Sequence, residues 1–157
     1  MKILITTPYF YPENFRISDF AFQMVKRGHQ VSVLTGLPNY PGGSFFGNYK
    51  ILRSERVNGV TVYRVPLIAR GKSRGFELII NYLSFLLSAL IFGPLLLRKE
   101  QSDIIFSVNY SPPTGGLIGA FFAKLNCSFT EGIWLSLFFR MASFSEEECM
   151  SFFREVF

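Results

Sequence analysis

The pattern of apolar and polar positions divides most of the chain into short strands and helices. Continuous apolar runs at Lys2–Thr6, Gln30–Thr35 and Ser102–Val108 predict strands that are covered on both faces, as in a parallel sheet. Between the first two runs, apolar residues recur at helical spacing from Ile17 to Val25. This strand–helix–strand order is typical of a βαβ unit and predicts an α/β fold with a Rossmann-like open parallel sheet.

The first predicted helix has recognisable start and stop residues. Ser18 is the expected N-cap, because its hydroxyl is of the type that accepts a hydrogen bond from a first-turn N–H group. Gly28 follows Lys26 and Arg27 and is expected just beyond the helix end, where glycine tolerates a left-handed backbone. Start, stop and terminal charge therefore agree with one helix.

A β-hairpin is predicted as an insertion in the sheet. Two alternating runs, Lys50–Val57 and Val60–Pro66, flank the dipeptide Asn58-Gly59. Asn-Gly between strand-like runs is a strong hairpin signal, because both residues of the favoured two-residue turn need a positive φ.

The longest apolar stretch, Leu78–Leu97, contains twenty residues and no charged side chain, and basic residues lie on both sides of it. By length it matches a membrane span, but a buried core helix and a helix lying on an anionic leaflet fit as well. A span would put Ile104–Val108 across a membrane from the sheet it must join. We therefore expect a helix that packs on the sheet and turns one apolar face towards lipid.

Composition and charge restrict the class of protein. With 49% apolar and 17% charged residues, the 157-residue chain is neither disordered nor collagen-like, and its length suggests one ordinary domain. Residues 1–125 contain 14 Lys/Arg against 6 Asp/Glu, which favours anionic partners. No dinucleotide or P-loop motif is present, and the basic residues form no aromatic-interleaved stripe, so nucleic acid is not an expected partner. One histidine and two distant cysteines predict no metal site.

Three predicted loops follow the carboxyl ends of strands, where open α/β sheets bind ligands: Pro8–Arg16, Gly36–Tyr49 and Asn109–Pro113. The first places Glu13 and Asn14, which suit sugar hydroxyls, and Arg16, which suits an anion, just before a helix N-terminus. A solvated loop shaped by its prolines explains these residues equally well.

The other two loops give weaker signals. In the second loop, Asn39 and Tyr40 stand beside two glycines and would offer an amide and a ring face to a hydroxyl-rich ligand. In the third, Ser111 and Thr114 precede a predicted helix and would contact a phosphate. Ordinary turns and simple N-capping by Thr114 remain the alternatives.

Four segments form an ordered set along the chain: Lys2–Ile5, Tyr9–Asp19 (YFYPENFRISD), Arg27–Pro41 (RGHQVSVLTGLPNYP) and Asn109–Pro113 (NYSPP). Over residues 1–125 they resemble the family 4 retaining glycosyltransferases of bacterial polysaccharide assembly, of the colanic-acid and O-antigen type. That family has the GT-B fold, in which two Rossmann-like domains face each other across a cleft. The resemblance implies that residues 1–125 are the N-terminal, acceptor-binding domain. It implies no cofactor; a nucleotide-sugar would be the donor substrate, bound by the other domain.

The resemblance also implies site residues and partners. The implied acceptor-binding residues are Glu13, Asn14, Arg16, Asn39, Tyr40, Asn109 and Ser111. The membrane-contact residues expected in and around the apolar stretch are Arg70, Lys72, Arg74, Leu83, Leu86, Leu87, Leu90, Arg98 and Lys99. The implied partners are a lipid-linked sugar acceptor, an anionic membrane surface and a separate donor domain. The implied location is cytoplasmic and peripheral, on the inner face of the cytoplasmic membrane.

Residues 126–157 differ from the rest of the sequence. They contain 2 Lys/Arg, 5 Asp/Glu, both cysteines and seven phenylalanines, where the family continues with another strand and then the donor domain. We expect a divergent tail produced by a frameshift or premature stop, with a native amphipathic helix as the alternative, and a chain that is inactive alone. Two other hypotheses stay open: a small membrane-associated interaction protein without catalysis, and an acceptor subunit completed in trans.

Overall fold

The computed structural model describes residues 1–49, 51–72, 74–108 and 114–126. Its elements are β1 (Lys2–Thr6), α1 (Arg16–Lys26), β2 (Gln30–Gly36), β3 (Ser54–Val57), β4 (Val60–Val65), α2 (Gly75–Leu96), β5 (Ile104–Ser107) and α3 (Thr114–Asn126). Asn109, Ser111 and the predicted tail beyond Asn126 lie outside the described residues.

The described strands form one sheet in the order β3-β4-β2-β1-β5. β1 pairs in parallel with β2 and β5, and β2 pairs in parallel with β4. β3 is antiparallel to β4. This arrangement confirms the predicted Rossmann-like α/β fold with a hairpin insertion. Strand order reverses at β1, which lies between β2 and β5, and such a reversal is where open α/β sheets form a ligand crevice.

Helices cover both faces of the sheet. Successive strand residues point to opposite faces, so Ile5 and Val33 pack under α1, whereas Leu4 and Leu34 pack under α2 and α3. This double cover explains why the strands are continuously apolar rather than alternating. The carboxyl edge of the sheet is left to the loops.

Two predicted backbone features are confirmed. Asn58 and Gly59 both have positive φ, 48° and 85°, at the turn between the antiparallel strands β3 and β4. Gly28 has a φ of 87° just beyond α1, and its N–H group donates to the Val25 carbonyl oxygen at 2.9 Å.

The predicted N-cap of α1 was wrong. The helix begins at Arg16, after an extended Phe15 (φ −115°, ψ 139°), so Ser18 lies inside the first turn. The Phe15 ring stacks on Tyr9 with centroids 5.1 Å apart, which fixes the chain at this point, and the Ser18 N–H group donates to the Phe15 carbonyl oxygen. Tertiary packing thus overrides the local capping preference.

α2 is a crossover helix that packs on the sheet, as expected. It connects β4 with β5 of the same sheet, and its buried residues recur every four positions: Asn81, Phe85, Ala89 and Gly93. By length and composition alone α2 would also qualify as a membrane span, a test that a core helix passes as well.

α2 and α3 approach each other closely at Gly93. A Cβ atom there would lie 2.3 Å from Cζ of the buried Phe122 ring, which is far inside van der Waals contact. The small residue therefore sets the distance between the two helices.

We predict that Gly93→Ala lowers the free energy of unfolding by about 1–3 kcal/mol, because the added methyl group displaces Phe122. Gly75→Ala is the matched control, since Gly75 begins the same helix and a Cβ atom there has no neighbour within 4 Å. Urea unfolding followed by circular dichroism compares the two variants. Equal stability of both would contradict the close approach.

Candidate functional site

The loops that follow β1 and β2 lie side by side at the carboxyl edge of the sheet. The Thr7 N–H group donates to the Leu34 carbonyl oxygen at 3.1 Å, which continues the parallel pairing into the first loop. On the other side of β1, the Val108 N–H group donates to the Thr6 carbonyl oxygen at 3.0 Å. Val108, the last described residue before Asn109, therefore lies at this same edge.

Glu13 is buried and connects the first two loops. One of its carboxylate oxygens, Oε1, accepts hydrogen bonds from the backbone N–H groups of Asn39 (2.8 Å) and Tyr40 (2.7 Å). The other, Oε2, accepts one from Phe10 at 3.2 Å. Burial raises the pKa of the Glu13 carboxyl, and the three N–H donors and the Arg64 charge act in the opposite direction. Glu13 thus positions the second loop against the first, and its contact with a ligand stays a prediction.

Asn39 is fully buried and ties the second loop to the segment before α2. Its Nδ2 donates to the Leu37 carbonyl oxygen at 2.9 Å, and its Oδ1 accepts from the Arg70 N–H group at 3.3 Å. A neighbouring backbone bond, from Gly71 N–H to the Gly43 carbonyl oxygen at 3.1 Å, strengthens the connection. The Asn39 side-chain amide, which we predicted to bind a ligand, therefore holds the backbone at Leu37 and Arg70 in this structure.

Three rings, Tyr9, Phe15 and Tyr40, form an aromatic cluster between these loops. Phe15 lies 5.1 Å from Tyr9 and 5.0 Å from Tyr40 between ring centroids, and Tyr9 and Tyr40 are 6.2 Å apart. The Arg70 guanidinium carbon lies 4.8 Å from the Tyr40 ring centroid and 5.7 Å from that of Tyr9. The structure thus brings Tyr40, predicted as a stacking ring, next to a cation.

Tyr9 also connects the first loop to α2. Its hydroxyl donates to Asn81 Oδ1 at 2.9 Å, and Asn81 Nδ2 donates to the Ile68 carbonyl oxygen at 2.6 Å. The edge of the Tyr82 ring packs on Tyr9 with centroids 6.2 Å apart. Burial, and then the neighbouring Tyr82, raise the pKa of Tyr9 well above its usual value, so its hydroxyl stays protonated as a donor.

Asn14 and Arg16, two of the predicted acceptor-binding residues, are exposed at the start of α1. Phe15 between them turns its ring into the aromatic cluster, so the two polar residues flank the cluster in sequence. The N-terminus of a helix favours an anion, because its first N–H groups have no partner within the helix. This arrangement suits a ligand that is both polar and negatively charged.

The sequence patterns missed Arg64, which is fully buried in β4. Its Nε forms a 2.7 Å salt bridge with Glu55 Oε1, and its Nη2 donates to the Tyr11 carbonyl oxygen at 2.6 Å. Its Nη1 donates to the Gly36 carbonyl oxygen at 3.3 Å, and its guanidinium carbon lies 4.4 Å from the Tyr49 ring centroid. Arg64 thus holds both loops to the hairpin. The available signal was one charged residue in an apolar strand, opposite a strand containing Glu55.

α2 turns a row of large apolar side chains away from the sheet. We call this row the apolar stripe; its members recur at three- and four-residue spacing, are 47–74% exposed, and are Phe76, Ile79, Leu83, Leu87, Ile91 and Leu95. Of the predicted membrane contacts, Leu86 and Leu90 lie half-buried beside the stripe. The exposed basic residues before and after α2 are Lys72, Arg74, Arg98 and Lys99.

The described residues define an α/β protein with a Rossmann-like sheet, and its polar and aromatic loops at the carboxyl edge are the candidate site. Among these residues there is no group of three or more His, Cys, Asp or Glu side chains that could hold a metal. No protein-family model matches the chain.

The chain is 32% identical over 114 residues to the Escherichia coli (strain K12) protein described as "Putative colanic acid biosynthesis glycosyl transferase WcaI". The match covers 69% of this chain and 28% of that protein. The chain is therefore related to a glycosyltransferase, and it spans less than a third of the relative's length.

We predict that Glu13→Gln lowers the free energy of unfolding by about 1–3 kcal/mol. Both carboxylate oxygens accept backbone N–H groups, so the amide NH2 group of glutamine would replace one acceptor with a donor and leave a buried N–H group unpaired. Asn14→Ala is the control, since it removes the exposed polar side chain of the following residue and should change the free energy of unfolding by less than about 0.5 kcal/mol. Chemical unfolding at neutral pH measures both. If the two variants were equally stable, Glu13 would not be what joins the loops.

Proposed function

We propose that the described residues form the acceptor-binding domain of a family 4 retaining glycosyltransferase with the GT-B fold. The main support is that a chain related to a glycosyltransferase brings the Tyr40 ring and the exposed Asn14 and Arg16 to the carboxyl edge of a Rossmann-like sheet. Ring faces stack on sugars, and amide and guanidinium groups hydrogen-bond their hydroxyl groups and charged substituents. The proposed substrate of this site is therefore a sugar acceptor.

The reaction proposed for the whole enzyme is sugar transfer with retention. The acceptor hydroxyl oxygen bonds to the anomeric carbon of the nucleotide-sugar, the bond to the nucleoside diphosphate breaks, and the hydroxyl proton leaves with the diphosphate. The acceptor domain orients the attacking hydroxyl, and the donor domain stabilises the charge of the leaving diphosphate. On this proposal the chain needs a donor domain for turnover.

The apolar stripe supports a lipid-linked acceptor and a peripheral position on the cytoplasmic leaflet. One face of the 22-residue α2 packs on the sheet through Phe85 and Ala89, while the stripe lies exposed on the other. Basic residues at both ends of the helix add attraction to an anionic leaflet. Because the sheet covers one face of α2, only the stripe would enter the membrane interface, and the helix would not cross the bilayer.

We predict that the double variant Leu83→Glu with Leu87→Glu binds phosphatidylglycerol-containing vesicles at least about tenfold more weakly, because burying each leucine contributes roughly 1.5–3 kcal/mol. Ile51→Glu makes the same chemical change at an exposed apolar position outside α2 and should leave binding nearly unchanged. Vesicle co-sedimentation measures the affinities. Equal losses in both variants would contradict docking through the stripe.

A transfer assay tests the proposed activity. Radiolabelled nucleotide-sugars are incubated with bacterial membranes and the 157-residue chain, with and without the part of the E. coli relative beyond the match. We expect label in the lipid extract only when that second part is present, either as a separate chain or fused to this one.

Two results would contradict the proposal. Turnover by the chain alone would show that it needs no added donor domain. No transfer by any combination, in membranes where the intact relative is active, would contradict the acceptor-binding role. Vesicle binding without transfer would then favour a membrane-associated interaction protein.

A further inference from the structure

Arg70 occupies a different place from the basic residues that follow it. The sequence predicted one membrane-contact role for Arg70, Lys72 and Arg74. In the structure Lys72 and Arg74 are exposed, whereas Arg70 is half-buried with its guanidinium over the rings of Tyr40 and Tyr9. The charge of Arg70 therefore lies at the loop site rather than on the surface that flanks the apolar stripe.

The ring and the guanidinium are held in place from two sides. The Tyr40 N–H group is bound by the Glu13 carboxylate, and the preceding residue, Asn39, accepts the Arg70 N–H group. Two successive residues of one loop thus fix the ring and the cation relative to each other. A pair that is already ordered loses little conformational entropy when a ligand binds.

The chemistry of the pair suits an anion attached to a sugar. Stacking uses the flat face of a guanidinium, whereas its N–H donors lie in the plane and fit the oxygens of a phosphoryl group. α1 begins directly after Phe15, whose ring contacts Tyr40, so the positive end of this helix adds to the same potential. The Glu13 carboxylate at this site is buried and accepts three backbone N–H donors. The Glu77 carboxylate lies beside Gly71 and accepts the Arg74 N–H group.

Arg70 also lies close to the start of the lipid-facing surface along the chain. α2 begins at Gly75, and the first side chain of the apolar stripe is Phe76. A ligand whose lipid tail enters the leaflet beside the stripe can present its polar end to the loop site. We propose that Arg70 binds the phosphoryl group that joins lipid to sugar in the acceptor, with the Tyr40 ring as the platform for the adjoining sugar. This inference rests on the function proposed above and names its substrate as a lipid phosphate or diphosphate.

Binding to vesicles with two different phosphate-containing lipids distinguishes phosphoryl binding at Arg70 from general electrostatic attraction to an anionic membrane. The full chain is titrated with phosphatidylcholine vesicles that contain farnesyl diphosphate, and separately with vesicles that contain phosphatidylglycerol. Arg70→Gln should weaken binding to the farnesyl diphosphate vesicles about tenfold and change binding to phosphatidylglycerol less than about twofold. Arg74→Gln, the matched control, should weaken both by a similar factor, about fivefold, because it contributes only surface charge.

Two further variants test the roles of the guanidinium shape and of the ring beneath it. Arg70→Lys keeps the positive charge and should therefore bind more tightly than Arg70→Gln. Its binding should stay weaker than that of the wild type, because a lysine lacks the planar donor fork. Tyr40→Leu keeps Arg70 but removes the ring beneath its guanidinium, so it should weaken farnesyl diphosphate binding about threefold by leaving Arg70 less ordered. Circular dichroism of each variant confirms that the fold is kept, and inorganic diphosphate should compete for the wild type but not for Arg70→Gln.

Four outcomes would overturn the inference. Equal weakening of both vesicle types by Arg70→Gln would make Arg70 an ordinary leaflet contact. Unchanged binding of farnesyl diphosphate by Arg70→Gln would exclude it as the phosphoryl ligand. A wild type that binds phosphatidylglycerol but not farnesyl diphosphate would refute this inference and leave membrane docking intact, whereas binding to neither vesicle would refute both.

Discussion

The architecture of the carboxyl edge depends on one buried carboxylate. Glu13 accepts three backbone N–H groups, one from its own loop and two from the loop that follows β2. A buried N–H group without an acceptor costs about as much as a lost hydrogen bond, so these three donors specify where the second loop lies. Tyr40 and, through Asn39, Arg70 take their positions from this arrangement. Glu13 thus positions the residues of the candidate site without needing to contact a ligand itself.

α2 shows how one apolar segment serves two environments. Its buried residues recur every four positions, and so do most members of the apolar stripe on the opposite side. The segment therefore has no charged face that water could solvate. A helix that is apolar all round is normally enclosed by protein or by lipid. Here the sheet covers one face, which leaves lipid as the proposed cover for the other. On this proposal, the low charge of the segment does not require a membrane crossing.

Local pattern was sufficient for most of the fold but not for the roles of the site residues. Strands, the Asn58-Gly59 turn and the end of α1 follow from periodicity and from the φ that a turn requires. The inward orientation of Glu13 was not predictable, because two of its three partners lie 26 and 27 residues away in the sequence. Arg70 and Arg74 look alike in the sequence, and only the rings beneath Arg70 distinguish them.

The polar residues within the apolar segment connect these two parts of the molecule. Asn81 and Ser84 bind the carbonyl and the N–H group of Ile68, and Asn81 also accepts the Tyr9 hydroxyl. Each is satisfied inside the protein, which is how polar groups remain in an apolar surrounding without a large cost. The same bonds attach the first loop to the helix proposed to lie on the leaflet. The orientation of α2 on a membrane would therefore also set the height and direction of the aromatic cluster, which is what a site for a lipid-anchored sugar requires.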